Sequence, residues 1–285
     1  MIRKTVTENE AGKRLDVFVS GQLPDLSRAS VQKLIDGNKV IVNKVSEKPS
    51  YRVRAHDKVN IDFTAQQLSD VPEIKLPILY EDDDCLVLNK PAGVLTHSKG
   101  TFNPEATVAT FIQPMLKKLR GERAGIVHRL DRATSGVMIV AKNPEALKWL
   151  QKQFFARKAK KTYMAVVSGK LQPEHAIIDM PIERNPKRPQ TFRVGSNGKP
   201  AITEYRVIDA SDTRSIVELK PTTGRTHQLR VHLKYLNHPI VGDTLYDGES
   251  ADRLYLHAQS LELTLPNRER QTFTVPVPED LKSIL

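Results

Sequence analysis

The chain holds a single cysteine, Cys85. One thiol closes no internal disulfide and builds no Cys-based zinc site, so the fold rests on its core, and a reducing cytoplasm suits it. A long apolar run is missing as well. The opening MIRKTVTENEAGKRLD has no signal core, and no stretch approaches the roughly 20 apolar residues of a membrane-spanning helix. No glycine-rich phosphate loop or dinucleotide fingerprint occurs, and Ser135 lacks the Gly-x-Ser-x-Gly setting of a hydrolase nucleophile. Cys85 sits in an apolar strand run, where a thiol packs more often than it reacts. Metal ligation is weakly signalled. Asp82, Asp83 and Asp84 are adjacent, without alternating ligand spacing, and His227 and His232 lie five apart, which does not suit a helical pair. No repeat or low-complexity segment is visible. These absences lead us to expect no cofactor and no metal.

What is present is basic and globular. The 285 residues are 39% hydrophobic and 27% charged, enough for a large domain plus a small one, and the net charge is +11. A surplus of that size favours a polyanionic partner. Residues 13–62 read as a compact module. Leu15, Val17 or Phe18, and Leu23 recur at helical spacing. Ser27 is expected to cap a second helix, whose stripe Val31, Leu34 and Ile35 runs to Gly37. Short strands follow at 39–43, 51–53 and 58–62. The polar faces carry Lys13, Arg14, Arg28, Lys33, Lys39, Lys44 and Arg52. Such a helix-helix-hairpin suits RNA-backbone binding, with Arg28, Lys33 and Arg52 as candidates, although an ordinary solvated surface has the same look.

Residues 63–77, polar and bracketed by Pro72 and Pro77, read as a linker. Beyond them, strands are expected at 78–80 and 85–88 around an acidic turn, a helix over 106–120, and a helix over 144–157 led by Pro144. The basic run Arg157, Lys158, Lys160 and Lys161 leads into a strand at Tyr163. Lys187, Arg188 and Arg193 occupy a basic loop and are further candidate phosphate contacts. Arg225, His227, Arg230 and His232 lie in and around a short helix. Alternating strands at 254–265 and 271–275 close a strand-rich region.

The chain is organised around residues 125–142, GIVHRLDRATSGVMIVAK. Four ionisable residues, His128, Arg129, Asp131 and Arg132, fill five positions between two apolar runs. Charge held there must be paired or used. Two readings stand side by side. Asp131 pins two strands through a structural salt bridge, or its cationic neighbours keep it ionised as a nucleophile or base on a loop carried by a rigid scaffold.

Resemblance carries the reading further. Residues 20–61 resemble the S-four-like RNA-binding domain, with His56-Asp57 where that pattern usually has Gly-Asp. KPAGVLTH, HRLDRATSGVMIVAK, KTYMAVVSG and PTTGRTHQLRVHLKYLNHPIVGDTLY are similar, in order, to motifs of the RluA/RluD-type pseudouridine synthases. The presence of the small domain and the segment GKPAITEYRV resembles the branch acting on large-subunit ribosomal RNA. The resemblance implies an α+β fold: a large mixed, mainly antiparallel sheet domain at 78–285 with flanking helices, and a small N-terminal α/β RNA-binding domain at 13–62. It implies isomerisation of uridine to pseudouridine without cofactor or metal, by base flipping. Asp131 would be the catalytic carboxylate, Tyr163 the aromatic under the flipped base, and Leu229 an aliphatic lining. Arg225 would be the cation that salt-bridges Asp131, and Arg129 would sit at the RNA interface. Ala133 stands where many members have an acid. The implied partner is ribosomal RNA or a pre-ribosomal particle, met by a cytoplasmic monomer with no membrane attachment. A non-catalytic RNA-binding or ribosome-assembly factor is the alternative.

Overall fold

The computed structural model describes residues 2–23, 26, 28–63, 72–98, 105–121 and 123–282. It separates into two compact units. The first holds β1 (Ile2–Thr5), α1 (Leu15–Gln22), α2 (Arg28–Asp36), β2 (Val40–Val42), β3 (Val45–Ser46) and β4 (Lys58–Ile61). Its antiparallel sheet runs β1-β4-β2-β3. Leu15, Phe18 and Val19 on α1 and Val31, Leu34 and Ile35 on α2 recur every three or four residues, so each helix turns one apolar stripe inward. These stripes meet Val40, Val42, Val59 and Ile61 of the sheet in one core. Phe18 takes the core position, while Val17 is exposed.

The backbone of α2 closes at Gly37, whose N–H donates to the Lys33 carbonyl. Ser27, expected as its cap, lies outside the described residues, as does most of the expected linker. The strand expected at 51–53 is reduced to one bridge, between Arg14 and Arg52. Its backbone instead serves the start of α1, with Leu15 N–H donating to the Tyr51 carbonyl at 2.7 Å. His56 adopts a left-handed φ of 71°, doing the work of the expected glycine. The Asp57 carboxylate then locks the turn by accepting from Asn43, Tyr51 and the Arg54 N–H.

The second unit contains β5 (Ile78–Glu81), β6 (Cys85–Lys90), β7 (Ser135–Ala141), α4 (Pro144–Phe155) and β8 (Lys160–Ser168). Next come β9 (His175–Asp179), β10 (Ile182–Arg184), β11 (Phe192–Val194), β12 (Ile202–Ala210) and β13 (Arg214–Pro221). Then follow α5 (Gln228–Tyr235), β14 (Leu256–Thr264), β15 (Arg270–Thr274) and the short C-terminal α6 (Glu279–Lys282). Among the described residues, nine strands form one sheet, ordered β5-β6-β7-β14-β8-β13-β12-β9 with β15 beside β14. Its pairings are antiparallel except where β7 meets β14 in parallel. The architecture is therefore α+β, dominated by a mainly antiparallel sheet.

Every residue of β7 is buried, which is why its sequence is an unbroken apolar run rather than an alternation. One sheet face packs Val137, Ile139, Leu261 and Phe273 against Ala146 and Leu150 of α4, and the other packs Ala165, Val167 and Leu219 against Leu229 and Leu233 of α5. Pro144 opens α4 at a position needing no N–H donor, and Asn143 caps it by accepting from Ala146 N–H at 2.9 Å. The helix expected over 106–120 is shorter: α3 spans Val108–Ile112 and tightens into a 3-10 turn at Gln113–Met115. Pro114 lacks the N–H that would continue the ladder. Gly136 is the one residue type its place admits. Its φ is +117°, and a Cβ there would lie 2.1 Å from the Ala258 carbonyl oxygen of the neighbouring β14. No helix among the described residues is long and apolar enough to cross a membrane.

Candidate active site

The loop from His128 to Thr134 enters β7, and the structure ties it down on both sides of Asp131. The Thr96 hydroxyl donates to the Leu130 carbonyl at 2.8 Å and accepts from Leu130 N–H at 3.2 Å, so one buried side chain satisfies both backbone groups of the preceding residue. On the following residue, the Arg132 carbonyl accepts from Gly93 N–H at 2.8 Å and from the Lys90 ammonium at 3.3 Å. Lys90 is fully buried and also donates to the carbonyls of Pro91 and Val94. Burial pulls its pKa down to about 8, so it remains mostly cationic at neutral pH. Thr134 N–H donates to the Asp131 carbonyl, closing the turn. The KPAGVLT segment thus works as a clamp on the backbone that presents Asp131.

His128 belongs to that clamp. Its ring stacks on Phe154 at 4.5 Å, and its Nε2 accepts from Ile139 N–H at 3.1 Å. Burial pushes its pKa down to about 3, so the imidazole is neutral and structural. Arg129 and Arg132 are exposed. Of the four ionisable residues in the loop, Asp131, its side chain 20% exposed, is the one that faces His227 and Arg230 at the start of α5.

Its partner there is not Arg225. The Arg225 Nε donates to the Pro200 carbonyl at 2.9 Å, before the helix begins. The guanidinium beside Asp131 belongs to Arg230, with Nη1 at 3.7 Å from Oδ2. His227 approaches the same oxygen with Nε2 at 3.8 Å. Residues three apart on a helix share a face, so His227 and Arg230 address Asp131 together while Arg225 falls off that face. Arg230 is itself held by a bidentate, buried pair with Asp243, at 2.7 and 2.6 Å, and lies 4.9 Å over the Tyr246 ring.

These groups open into a cleft of about 580 Å³, in the range that holds a small ligand. Tyr163, Leu229, Arg129, Arg225 and Lys161 all line it. Tyr163 stands on β8 between Leu219 of β13 and Ala258 of β14. Burial and the Asp131 charge raise its pKa, keeping the phenol neutral. Leu229 is buried on α5. Lys161 donates to the Thr223 carbonyl at 3.2 Å, and burial pulls its pKa down to about 8. At the rim, Phe155 is 91% exposed.

Other candidates have different occupations. Arg28 is bound to the buried Asp16, Arg52 donates to the Gly12 carbonyl, and Arg188 faces Asp247 and the Leu245 carbonyl. Lys33 and Lys187 are exposed, as is Arg193, which pairs with Glu183. Ser135 is buried between His257 and Arg253, out of reach of a substrate. Asp82 is a turn acceptor for the N–H groups of Asp84 and Cys85. Among the described residues no cluster of three or more His, Cys, Asp or Glu is placed to hold a metal.

Sequence reasoning missed Lys90, Arg230, Asp243 and Tyr246. A signal for Arg230 was present, since HQLR puts His227 and an arginine one helical turn apart.

Residues 84–235 match the family model for RNA pseudouridylate synthase, and residues 13–59 match the S4 domain. Ribosomal large subunit pseudouridine synthase C of Vibrio parahaemolyticus is 33% identical, over 98% of this chain and 94% of its own length. The corresponding synthase D of Escherichia coli is 34% identical, over 99% and 92%. Among solved structures, human RNA Pseudouridylate Synthase Domain Containing 1 covers 72% of this chain and 85% of its own, with 33% identity and a TM-score of 0.59.

Proposed function

The chain belongs to the RNA pseudouridylate synthase family, and we propose that it isomerises uridine to pseudouridine in large-subunit ribosomal RNA. The observation that carries the reading is a carboxylate, Asp131, held at the wall of a nucleotide-sized cleft, with its backbone clamped on both sides and the His227 ring and the Arg230 guanidinium facing one of its oxygens. In this reaction the bond from ribose C1′ to N1 of uracil breaks, the base turns over, and C1′ bonds to C5. The C5 hydrogen leaves as a proton, and N1 gains one. Nothing is oxidised and no group donor is consumed.

The uridine must leave its stack to enter the cleft, which costs a few kcal/mol. Tyr163 supports the flipped base, Leu229 lines its pocket, and Asp131 acts at the reacting centre, with Arg230 as its ion-pair partner. Arg129 and Arg225 stand at the cleft, and Arg129 meets the RNA from which the base was drawn. Lys33, Arg52, Lys187 and Arg188 contribute phosphate contacts, Arg28 joining them through its exposed edge. The small domain, 13–62, anchors the RNA, while 78–285 performs the chemistry, in a cytoplasmic monomer.

Isomerisation must expel the hydrogen on C5. Incubation with large-subunit ribosomal RNA carrying tritium at uridine C5 is expected to release tritium to water, with pseudouridine mapped at discrete positions. RNA binding without release would instead support a binding or assembly factor.

A further inference from the structure

Resting on the reading of Asp131 as the reacting carboxylate, we infer that His227 is its positioning residue: the Nε2–H edge, set by the Tyr246 hydroxyl, fixes which carboxylate oxygen meets the substrate. His227 is a non-glycine residue at φ 57° at the start of α5, a strained left-handed conformation that persists only where its surroundings impose it. What imposes it is the ring's packing. Phe192 meets the imidazole edge-on at 5.7 Å, and Tyr246 does so at 5.5 Å and 89°.

Hydrogen bonding then assigns the tautomer. The Tyr246 hydroxyl oxygen accepts from Phe192 N–H at 3.0 Å, which leaves its own proton to donate. The acceptor within reach is His227 Nδ1, at 2.7 Å. Since burial keeps the imidazole neutral, against the opposing charges of Asp131 and Asp243 and alongside those of Arg230 and Arg129, an occupied Nδ1 lone pair places the ring proton on Nε2. The Nε2 that then carries the proton lies 3.8 Å from Asp131 Oδ2. Arg230, fixed by Asp243, addresses the same Oδ2. Two donors on one oxygen turn the carboxylate and leave Oδ1 for the substrate. Neither is close enough for a full hydrogen bond, so both steer Asp131 without consuming its lone pairs.

Two substitutions separate steering from mere packing. His227→Gln carries an amide nitrogen out to the place of Nε2. His227→Asn tolerates the left-handed backbone and reaches only as far as Nδ1, so it can keep the Tyr246 contact but has nothing facing Asp131. Single-turnover tritium release from C5-labelled RNA is read for both, with RNA affinity and melting temperature as controls. The Gln variant is expected to stay within about fivefold of wild type and the Asn variant to fall about 10- to 100-fold, with affinity unchanged. An Asn variant as fast as the Gln variant, or both at wild-type rate, overturns the inference. Asp131→Asn is run beside them. If it is inactive while both His227 variants are wild type, only the positioning role fails; if it is fully active, the reading of Asp131 fails with it.

Discussion

Two aspartates, one in each unit, face clusters of hydrogen-bond donors and end in opposite conditions. Asp16 is fully buried and bound at hydrogen-bond distance from three sides: Arg14 at 3.0 and 3.1 Å, Arg28 at 3.1 to 3.2 Å, and Gln32 at 2.6 Å. The Arg14 bonds, then those of Gln32 and Arg28, hold its carboxyl well below the usual range. Asp131 keeps the Arg230 guanidinium 3.7 Å away and the neutral His227 ring 3.8 Å away, and one fifth of its side chain remains open to a cleft. Satisfying a buried carboxylate produces structure; holding it just short of satisfaction leaves lone pairs for chemistry. The second unit shows both conditions side by side, since Arg230 gives its bidentate face to Asp243 and only its remaining nitrogen to Asp131.

Four substitutions probe that contrast. Asp131→Asn should cut single-turnover tritium release by about 10³-fold or more while shifting the melting temperature little, because no short bond is lost. Asp243→Asn removes a charge from a buried pair and strands Arg230, so urea unfolding of the larger unit should show a loss of about 3–5 kcal/mol. Asp16→Asn should cost the smaller unit about 1–2 kcal/mol, reduced by the partial exposure of Arg14 and Arg28. The sign with pH is fixed: a carboxylate whose folded pKa is depressed stabilises above its unfolded value and loses that contribution as pH falls toward the folded one. Acid titration of the wild type should therefore erase the difference from Asp16→Asn. The smallest effect concerns Lys161, whose pKa of about 8 makes it lose charge as pH rises from 7 to 9. RNA affinity should weaken about two- to threefold over that span, and Lys161→Arg should flatten the change.

Much of this was legible before the structure. The apolar run of β7 and the stripes of α1, α2 and α4 follow directly from period and capping. The 125–142 loop announced itself by charge density between buried strands. The division of labour among its charges did not, because sequence adjacency says nothing about which side chains turn inward. His128 proved to be a neutral prop against Phe154 and Ile139, while Arg129 and Arg132 are exposed, Arg129 at the cleft. The partner of Asp131 depended on where α5 begins. Helical phase starting at Gln228 brings Arg230 to the cleft and leaves Arg225 on the preceding turn. Lys90 was hidden by its chemistry, since a lysine in a turn is ordinarily solvated, and only the converging carbonyls of Pro91, Val94 and Arg132 explain its burial. The short α3 was readable from Pro114 and gave way to a longer helical reading of 106–120.

The most direct test of the contrast measures rate and stability together for Asp131→Asn and Asp16→Asn, on a short labelled RNA with the full-length protein. A double dissociation is expected: Asp131→Asn loses tritium release by about 10³-fold with its unfolding curve in place, and Asp16→Asn loses stability with its rate on the short RNA retained. An Asp131→Asn protein that still releases tritium at the wild-type rate would contradict it.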